Sequence, residues 1–179
     1  TAITGNLETA ITASSRVLAV QGQVVPATNV DVRLWAELEN GDRIEGESNI
    51  GHAPSPIVRL GCLPERPPAL PRALEAIASA DLILLGPGSL YTSLLPNLLV
   101  PELVSAIRRS RAPRLYICNL MTPPGEPDGL AVRGHLRAIY AVAGPTSPLR
   151  RFKARDRPPH AGMAHAVAPR RCCAFPEAT

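Results

Sequence analysis

The stretch Asp81–Val100, DLILLGPGSLYTSLLPNLLV, decides the fold. It opens with the apolar run Asp81–Leu85, continues into the glycine-rich segment Gly86–Ser89, and then carries several small hydroxyl residues. A continuous apolar run of this length is typical of a parallel strand that is covered on both faces. We therefore predict a buried strand that ends in a glycine-rich loop, which is either a plain turn or an anion site.

The residues around this stretch alternate between helical and strand patterns. After the proline-rich run that ends at Pro71, the sequence predicts helix Pro71–Ser79, strand Asp81–Leu85, helix Pro101–Ser110, strand Arg114–Cys118 and helix Asp128–Ala143. This order favours parallel pairing with right-handed crossovers.

The first part of the chain has a different pattern. It predicts a helix over Thr1–Val20, alternating strands over Val30–Leu38 and Ile44–Glu47 joined by an Asn-Gly hairpin turn at residues 40–42, and a short strand Ile57–Leu60. The hairpin is then an insertion or a sheet-edge element. The fold class is α/β, with a mostly parallel sheet and a β-hairpin insertion.

Composition narrows the function classes. The chain has 179 residues, 45% of them apolar, so it can form roughly one domain with a real core. No apolar run reaches the roughly 20 residues of a membrane span, no signal peptide is recognisable, and the cysteine spacing fits neither a zinc site nor a disulfide framework. We expect a cytoplasmic protein, and a homo-oligomer stays open.

Positive charge is concentrated at the C-terminus. Residues 1–144 carry 12 Arg against 13 acidic residues, whereas residues 145–179 carry 7 basic and 2 acidic residues. The body has no basic stripe with interleaved aromatic residues, so we predict no nucleic-acid partner. From Gly144 the periodicity ends, and we expect residues 144–179 to be a divergent, disordered tail behind an α/β domain of residues 1–143.

Two predicted strands end in loops with polar side chains. Because the carboxyl ends of parallel strands share one sheet edge, the loops after Leu85 and Cys118 should open on the same side. Gly86 and Gly88 would let the backbone approach a phosphate, and a hydroxyl-rich turn would add donors. The loop is neither a P-loop nor a Gly-x-Gly-x-x-Gly motif, and Asn119 either binds a ligand or caps the turn.

Other polar residues give weaker candidates. Glu126 and Asp128 could hold Mg²⁺, although acidic residues in such a loop are more often simply solvated. We predict that His135 is a surface residue and that His52 is a solvated loop residue. The residues indicate no metal-ligand cluster.

Several segments resemble the CofD-like family, which includes the YvcK-type gluconeogenesis factors and the 2-phospholactate transferases of coenzyme F420 synthesis. The resemblance rests on ADLILLGPGSLYTSLLPNLLVPEL (80–103) and YICNLMTPPGEPDG (116–129). SSRVLAVQGQVVPAT (14–28) and ELENGDRIEGESNI (37–50) resemble the YvcK branch in particular. Together these segments span roughly residues 1–143.

The resemblance implies a Rossmann-like fold and a nucleotide-type ligand. Family members begin with a glycine-rich strand-turn that would precede Thr1, so the domain is expected to be incomplete at its N-terminus. The positions that match the ligand-facing motif are Gly86, Gly88, Ser89, Leu90, Tyr91, Thr92, Asn97 and Asn119. No catalytic residue and no metal ligand can be carried over.

Three functions follow as alternatives. The YvcK-like segments favour a regulatory protein that binds a nucleotide sugar such as UDP-N-acetylglucosamine and acts in carbon partitioning and in cell-wall and cell-shape control. The second alternative is a Mg²⁺-dependent 2-phospholactate transferase, although the visible loops offer no cation for charge stabilisation. The third is a truncated chain without ligand function. Whether the chain is an enzyme stays open.

Overall fold

The computed structural model describes residues 7–19, 21–119 and 132–144. Its helices are α1 (Leu7–Val17), α2 (Glu47–Ile50), α3 (Pro71–Ala78), α4 (Leu95–Leu98), α5 (Pro101–Arg109) and α6 (Val132–Ala143), and a π-helical turn (Leu90–Leu94) precedes α4. Its strands are β1 (Arg33–Leu38), β2 (Arg43–Glu45), β3 (Ile57–Leu63), β4 (Ile83–Leu85) and β5 (Arg114–Tyr116). The α/β class is confirmed.

An antiparallel sheet is built around the predicted hairpin. Strand β1 lies between β2 and β3, with Trp35 opposite both Glu45 and Gly61. The turn between β1 and β2 is closed by the Leu38 and Asp42 backbones (2.8 Å), and Gly41 takes a φ of +88° there. The predicted hairpin is therefore present, and β3 extends it to three strands.

The face of this sheet that carries Trp35 is covered by arginines. The guanidinium carbons of Arg43 and Arg59 lie 4.3 and 5.2 Å from the indole ring centre, and Trp35 is only 7% exposed. Arg59 also pairs with Glu37 across the strands (3.6 Å). The strand alternation predicts Trp35 on the polar side of the strand, and the two cationic side chains explain how that side still shields a large aromatic ring.

Strands β4 and β5 form the parallel pair, in register from Ile83 opposite Arg114 to Leu85 opposite Tyr116. The chain leaves β4, passes through α4 and α5, and returns as β5, which is the predicted strand–helix–strand unit. Three described strands thus pair antiparallel and two pair parallel, so the described part contains more antiparallel pairing than the sequence predicts.

One core joins the two sheets. It consists of Ala36, Ile50, Leu60, Leu90, Tyr91, Leu95, Leu98, Tyr116, Leu136, Ile139 and Ala143. Helix α5 begins at Pro101 as predicted and packs on α3, and Glu102 of α5 accepts a hydrogen bond from the Ala69 backbone N–H (2.6 Å). Leu90 and Tyr91, which directly follow the loop after β4, are part of this core and anchor the loop to it.

The parallel pair is covered on one face only by the described residues. Leu82 and Leu84 are 48% and 51% exposed, and Ile117 beyond β5 is 38% exposed. Alternate residues of a strand share a face, and paired residues of parallel strands do too, so these side chains and Leu115 form one apolar surface. The prediction that both faces of β4 are covered is not met within the described residues. We call this surface, Leu82, Leu84, Leu115 and Ile117, the open face.

Several predictions lie outside the described residues. They concern residues 1–6 and 20 of the first helix, the loop after Asn119 with Glu126 and Asp128, the start of the last helix, and the tail from residue 145.

Candidate functional site

The glycine-rich loop leaves β4 directly beside the end of β5. The Ile117 N–H donates to the Leu85 carbonyl (2.8 Å), which extends the pairing of the two strands beyond Tyr116. Gly86 then turns with a φ of +78°, and a Cβ there would lie 2.7 Å from the Ile117 carbonyl oxygen. Gly86 is therefore required by the close approach of the neighbouring strand, whether or not a ligand binds.

Gly88 and Asn119 are joined by two hydrogen bonds. The Gly88 N–H donates to Asn119 Oδ1 (3.1 Å), and Asn119 Nδ2 donates to the Gly88 carbonyl (2.8 Å). The sequence left open whether Asn119 binds a ligand or caps the turn, and in this structure its side chain holds the turn. The Gly88 N–H is consequently engaged, and Pro87 has no N–H, so these two positions present no pair of free backbone donors.

The hydroxyl groups lie at the start of the π-helical turn. Thr92 Oγ1 donates to Ser89 Oγ (2.8 Å), and the Ser89 carbonyl accepts from the N–H groups of Ser93 (3.1 Å) and Leu94 (2.9 Å). Both Ser89 and Thr92 are half-buried. Their mutual hydrogen bond fixes the two oxygens next to each other beside the glycines.

The other predicted site residues are placed differently. Leu90 and Tyr91 are 0% and 8% exposed, so their side chains belong to the core. Asn97 is exposed, donates to the Ser93 carbonyl (2.8 Å), and lines a cavity of about 590 Å³ between residues 23–27, α3 and α5. The eight predicted residues thus fall into three groups. Leu90 and Tyr91 are buried anchors and Asn97 belongs to the neighbouring helix α4. The other five form or hold the loop itself.

His135 is buried, and the prediction of a surface position is wrong. It is 4% exposed, and its Nδ1 lies 2.8 Å from the Tyr116 hydroxyl. The sequence carries a signal for this position, because His135, Ile139 and Ala143 recur at intervals of four and share one face of α6. A buried histidine–tyrosine pair therefore connects α6 to β5, and a carbon of the Tyr116 ring lies 3.6 Å from where a Cβ of residue 86 would be.

His52 is exposed, as predicted. Its Nδ1 lies 2.9 Å from the Ser48 carbonyl, and because a carbonyl can only accept, this nitrogen donates. In the described ranges 7–19, 21–119 and 132–144, no group of three or more metal-ligating side chains is present. The Mg²⁺ candidates Glu126 and Asp128 lie outside those ranges.

A second cavity of about 550 Å³ includes Tyr91 of the π-helical turn in its lining. The rest of its lining is mostly apolar and comes from β3, α4, α5 and α6. Neither cavity is lined by Gly86, Gly88 or Ser89.

Comparison with known proteins identifies the family. Residues 1–166 match the family described as 2-phospho-L-lactate transferase CofD. The chain belongs to the CofD family. The match runs to residue 166, past the predicted domain boundary at residue 143.

Several proteins similar to this chain are named gluconeogenesis factor. Those of Halalkalibacterium halodurans and Bacillus subtilis are 48% and 45% identical over 144 residues, each covering 80% of this chain and 45% of the relative. A relative from Nostoc sp. is 62% identical over 142 residues, which are 79% of this chain and 31% of the Nostoc protein. The chain therefore spans less than half the length of these relatives.

A solved structure agrees with the fold. A Bacillus halodurans protein of the UPF0052 family superposes with a TM-score of 0.75 at 47% identity, over 80% of this chain and 46% of that chain.

In the described part of the chain, no single helix is long and apolar enough to cross a membrane. Leu90–Leu98 and Pro101–Arg109, bent by 75°, meet that length and composition only as a pair.

Proposed function

We propose that this chain forms part of a cytoplasmic regulatory protein that binds a nucleotide sugar such as UDP-N-acetylglucosamine. Its role would be that of a gluconeogenesis factor, in carbon partitioning and in the control of cell wall and cell shape. The observation that carries the proposal is the loop Gly86–Ser89, which stands at the carboxyl end of β4 and is fastened to the end of β5. That edge is where open α/β sheets bind ligands.

The residues would contribute in different ways. Gly86 and Gly88 present backbone without side chains, so a diphosphate could approach closely. The Ser89 and Thr92 hydroxyls lie 2.8 Å apart and would turn toward phosphate or sugar oxygens. Leu90 and Tyr91 anchor the loop in the core, and Asn97 would contact a distal part of the ligand. The loop forms one wall of the site.

Calorimetry with UDP-N-acetylglucosamine tests the proposal. We would titrate this chain and a version extended to the length of the relatives. Each would be measured as the unaltered protein and as the double variant Ser89→Ala, Thr92→Val. Loss of two hydrogen bonds to a phosphate should weaken binding by about tenfold or more. Ser48→Ala, an exposed serine in α2, is the matched control and should bind as the unaltered protein does.

Two results would count against the proposal. If neither the short nor the extended chain binds UDP-N-acetylglucosamine, this nucleotide sugar is not a ligand of the protein. If the double substitution leaves the affinity unchanged, the loop Gly86–Ser89 is not part of the binding site.

A Mg²⁺-dependent 2-phospholactate transferase is the second candidate, and the description of the matching family favours it. Glu126 and Asp128 are the acidic residues that would hold the ion. Turnover of the F420 precursor by the extended chain, dependent on Mg²⁺ and lost in Asp128→Asn, would support this candidate. A chain that neither binds the sugar nor turns over that substrate would favour the third alternative, a truncated chain without ligand function.

A further inference from the structure

Asn119 continues the pairing of β4 and β5 beyond the point where their backbones separate. The Ile117 N–H donates to the Leu85 carbonyl, and two residues further along the chain the Asn119 side chain forms its pair of bonds with Gly88. A side-chain amide has one carbonyl and one NH₂ group in the geometry of a peptide. Asn119 therefore gives Gly88 the donor and the acceptor that a neighbouring strand would give.

Few other side chains could make both bonds. Aspartate offers only acceptors when ionised, and its second oxygen would face the Gly88 carbonyl at the 2.8 Å now spanned by Asn119 Nδ2. Glutamine has the same amide on a longer stem. Alanine makes neither bond. The contact therefore depends on the amide and on its length.

We infer that Asn119 is a positioning residue that acts through Gly88 and fixes the shape of the glycine-rich loop, and does not itself contact the ligand. With both polar atoms of the Gly88 backbone held by Asn119, the loop cannot rotate them toward a phosphate without breaking the pair. The Asn119 amide thereby determines which backbone atoms of the loop a ligand can contact. The ligand part of this inference rests on the proposed function, whereas the positioning itself does not.

Amide hydrogen exchange tests the positioning without any ligand. In protein labelled with ¹⁵N-glycine, Asn119→Ala should lower the protection of the Gly88 amide by about tenfold, because its hydrogen bond is lost. The Gly51 amide, which donates to the Glu47 carbonyl in α2 (2.9 Å), is the control and should keep its protection. Unchanged Gly88 protection with Gly51 still protected would overturn the inference.

Asn119→Asp gives a second test, the pH dependence of Gly88 protection. If Asn119 only filled space, this protection would not depend on the charge of the residue at position 119. A protonated carboxyl has one acceptor and one O–H donor, so it can restore both bonds, whereas the carboxylate repels the Gly88 carbonyl. Gly88 protection in this variant should therefore be high at about pH 3, below the ordinary aspartate pKa of about 3.9, and about tenfold lower at pH 7.5. The unaltered chain at both pH values corrects for all other titrating groups, and equal protection at both would contradict the inference.

The ligand arm uses the same variants with UDP-N-acetylglucosamine. Asn119→Ala should bind about tenfold more weakly, and Asn119→Asp should be weakened similarly at pH 7.5, where its carboxylate cannot donate to the Gly88 carbonyl. Affinity that follows Gly88 protection across the variants supports positioning, whereas lost affinity with intact protection would make Asn119 a ligand contact. If the unaltered protein binds no sugar, the proposed function fails and the exchange result still decides the positioning.

Discussion

At the scale of single residues, Gly86 illustrates how a backbone position can be demanded by a neighbouring strand. The residues alone leave open whether Gly86 serves a plain turn or an anion site, and the family resemblance implies a ligand. In the structure, the Ile117 carbonyl already occupies the space that a Cβ would need. That contact depends on the register of β4 against β5, which local sequence does not encode.

Gly86→Ala should therefore destabilise the chain by about 3 kcal/mol, from the left-handed backbone and the clash together. Gly41→Ala is the matched control, because Gly41 also has a positive φ (+88°) but nothing lies within 4 Å of its added Cβ. It should cost only about 1 kcal/mol. Urea denaturation measures both, and equal losses would show that the contact with Ile117 is unimportant.

Cys62 is a second residue whose surroundings set its chemistry. Burial raises the pKa of its thiol, and the charge of Glu65 acts in the same direction. The thiol also donates to the Pro64 carbonyl (3.2 Å), which favours its protonated form. Its folded-state pKa thus exceeds the unfolded value, so its contribution to stability is complete below the unfolded pKa and is lost as pH rises through the folded pKa.

Iodoacetamide should accordingly modify Cys62 much more slowly in the folded chain than in urea at pH 8, because the thiolate is the reactive form. Peptide mass spectrometry resolves this cysteine from the other three. The folded-state rate should continue to rise at alkaline pH beyond the range where a free thiol levels off. Equal rates in folded and unfolded protein would contradict the burial of this thiol.

At the scale of elements, the antiparallel sheet depends on a glycine placed under an aromatic ring. Gly61 of β3 lies opposite Trp35 of β1, and a Cβ at Gly61 would overlap the indole. The period of two correctly predicts β1, yet it cannot reveal which residue of another strand faces Trp35. Cross-strand neighbours follow from register, which the hydrophobic pattern of one strand leaves unspecified.

Gly61→Ala should expel the indole and destabilise the chain by about 3 kcal/mol. Trp35 is the one tryptophan of the sequence, so its emission should shift to longer wavelength as water reaches the ring. Gly51→Ala, whose Cβ would meet its nearest neighbours at the ordinary van der Waals distances of 3.5–3.9 Å, is the control and should leave emission and stability nearly unchanged. Unshifted emission in Gly61→Ala would refute this packing.

Tyr116 and His135 link two further elements, β5 and α6. Tyr116→Phe removes their 2.8 Å hydrogen bond within the core and should cost about 1–2 kcal/mol. Tyr140→Phe is the matched control, since the Tyr140 hydroxyl makes no hydrogen bond within the described residues. Thermal unfolding compares the two, and an equal effect would assign the loss to general packing.

The elements themselves were largely predictable, and the site only in part. Proline at the first position marks α3 and α5, and apolar runs mark β4 and β5. The eight predicted site residues cluster around one loop, but the sequence could not separate Gly88, held by Asn119, from Leu90, buried in the core. Those roles arise from tertiary contacts over distances of 31 residues in the chain.

At the scale of the whole molecule, the open face is the main unprotected apolar surface of the parallel sheet within the described residues. Leu82, Leu84 and Ile117 are each at least 38% exposed there. Contiguous apolar patches of this kind promote self-association. We expect the purified chain to form concentration-dependent oligomers and to bind hydrophobic dyes.

Leu84→Glu should reduce both effects, because it places a charge in the centre of the open face. Val24→Glu is the matched control, since Val24 is also about half exposed (52%) but lies outside both sheets. Analytical ultracentrifugation and dye fluorescence would measure the change. An equal response to the two substitutions would mean that net charge, and not the open face, controls association.

In a living cell, the open face would also act as a degradation signal. Chaperones and proteases sort polypeptides by exposed apolar segments, so the abundance of this chain should depend on how quickly a covering partner arrives. A pulse–chase experiment would then find a longer half-life for Leu84→Glu than for Val24→Glu. The leucines from which the sequence predicts a buried strand β4 would thereby determine how long a molecule with an uncovered open face survives in the cell.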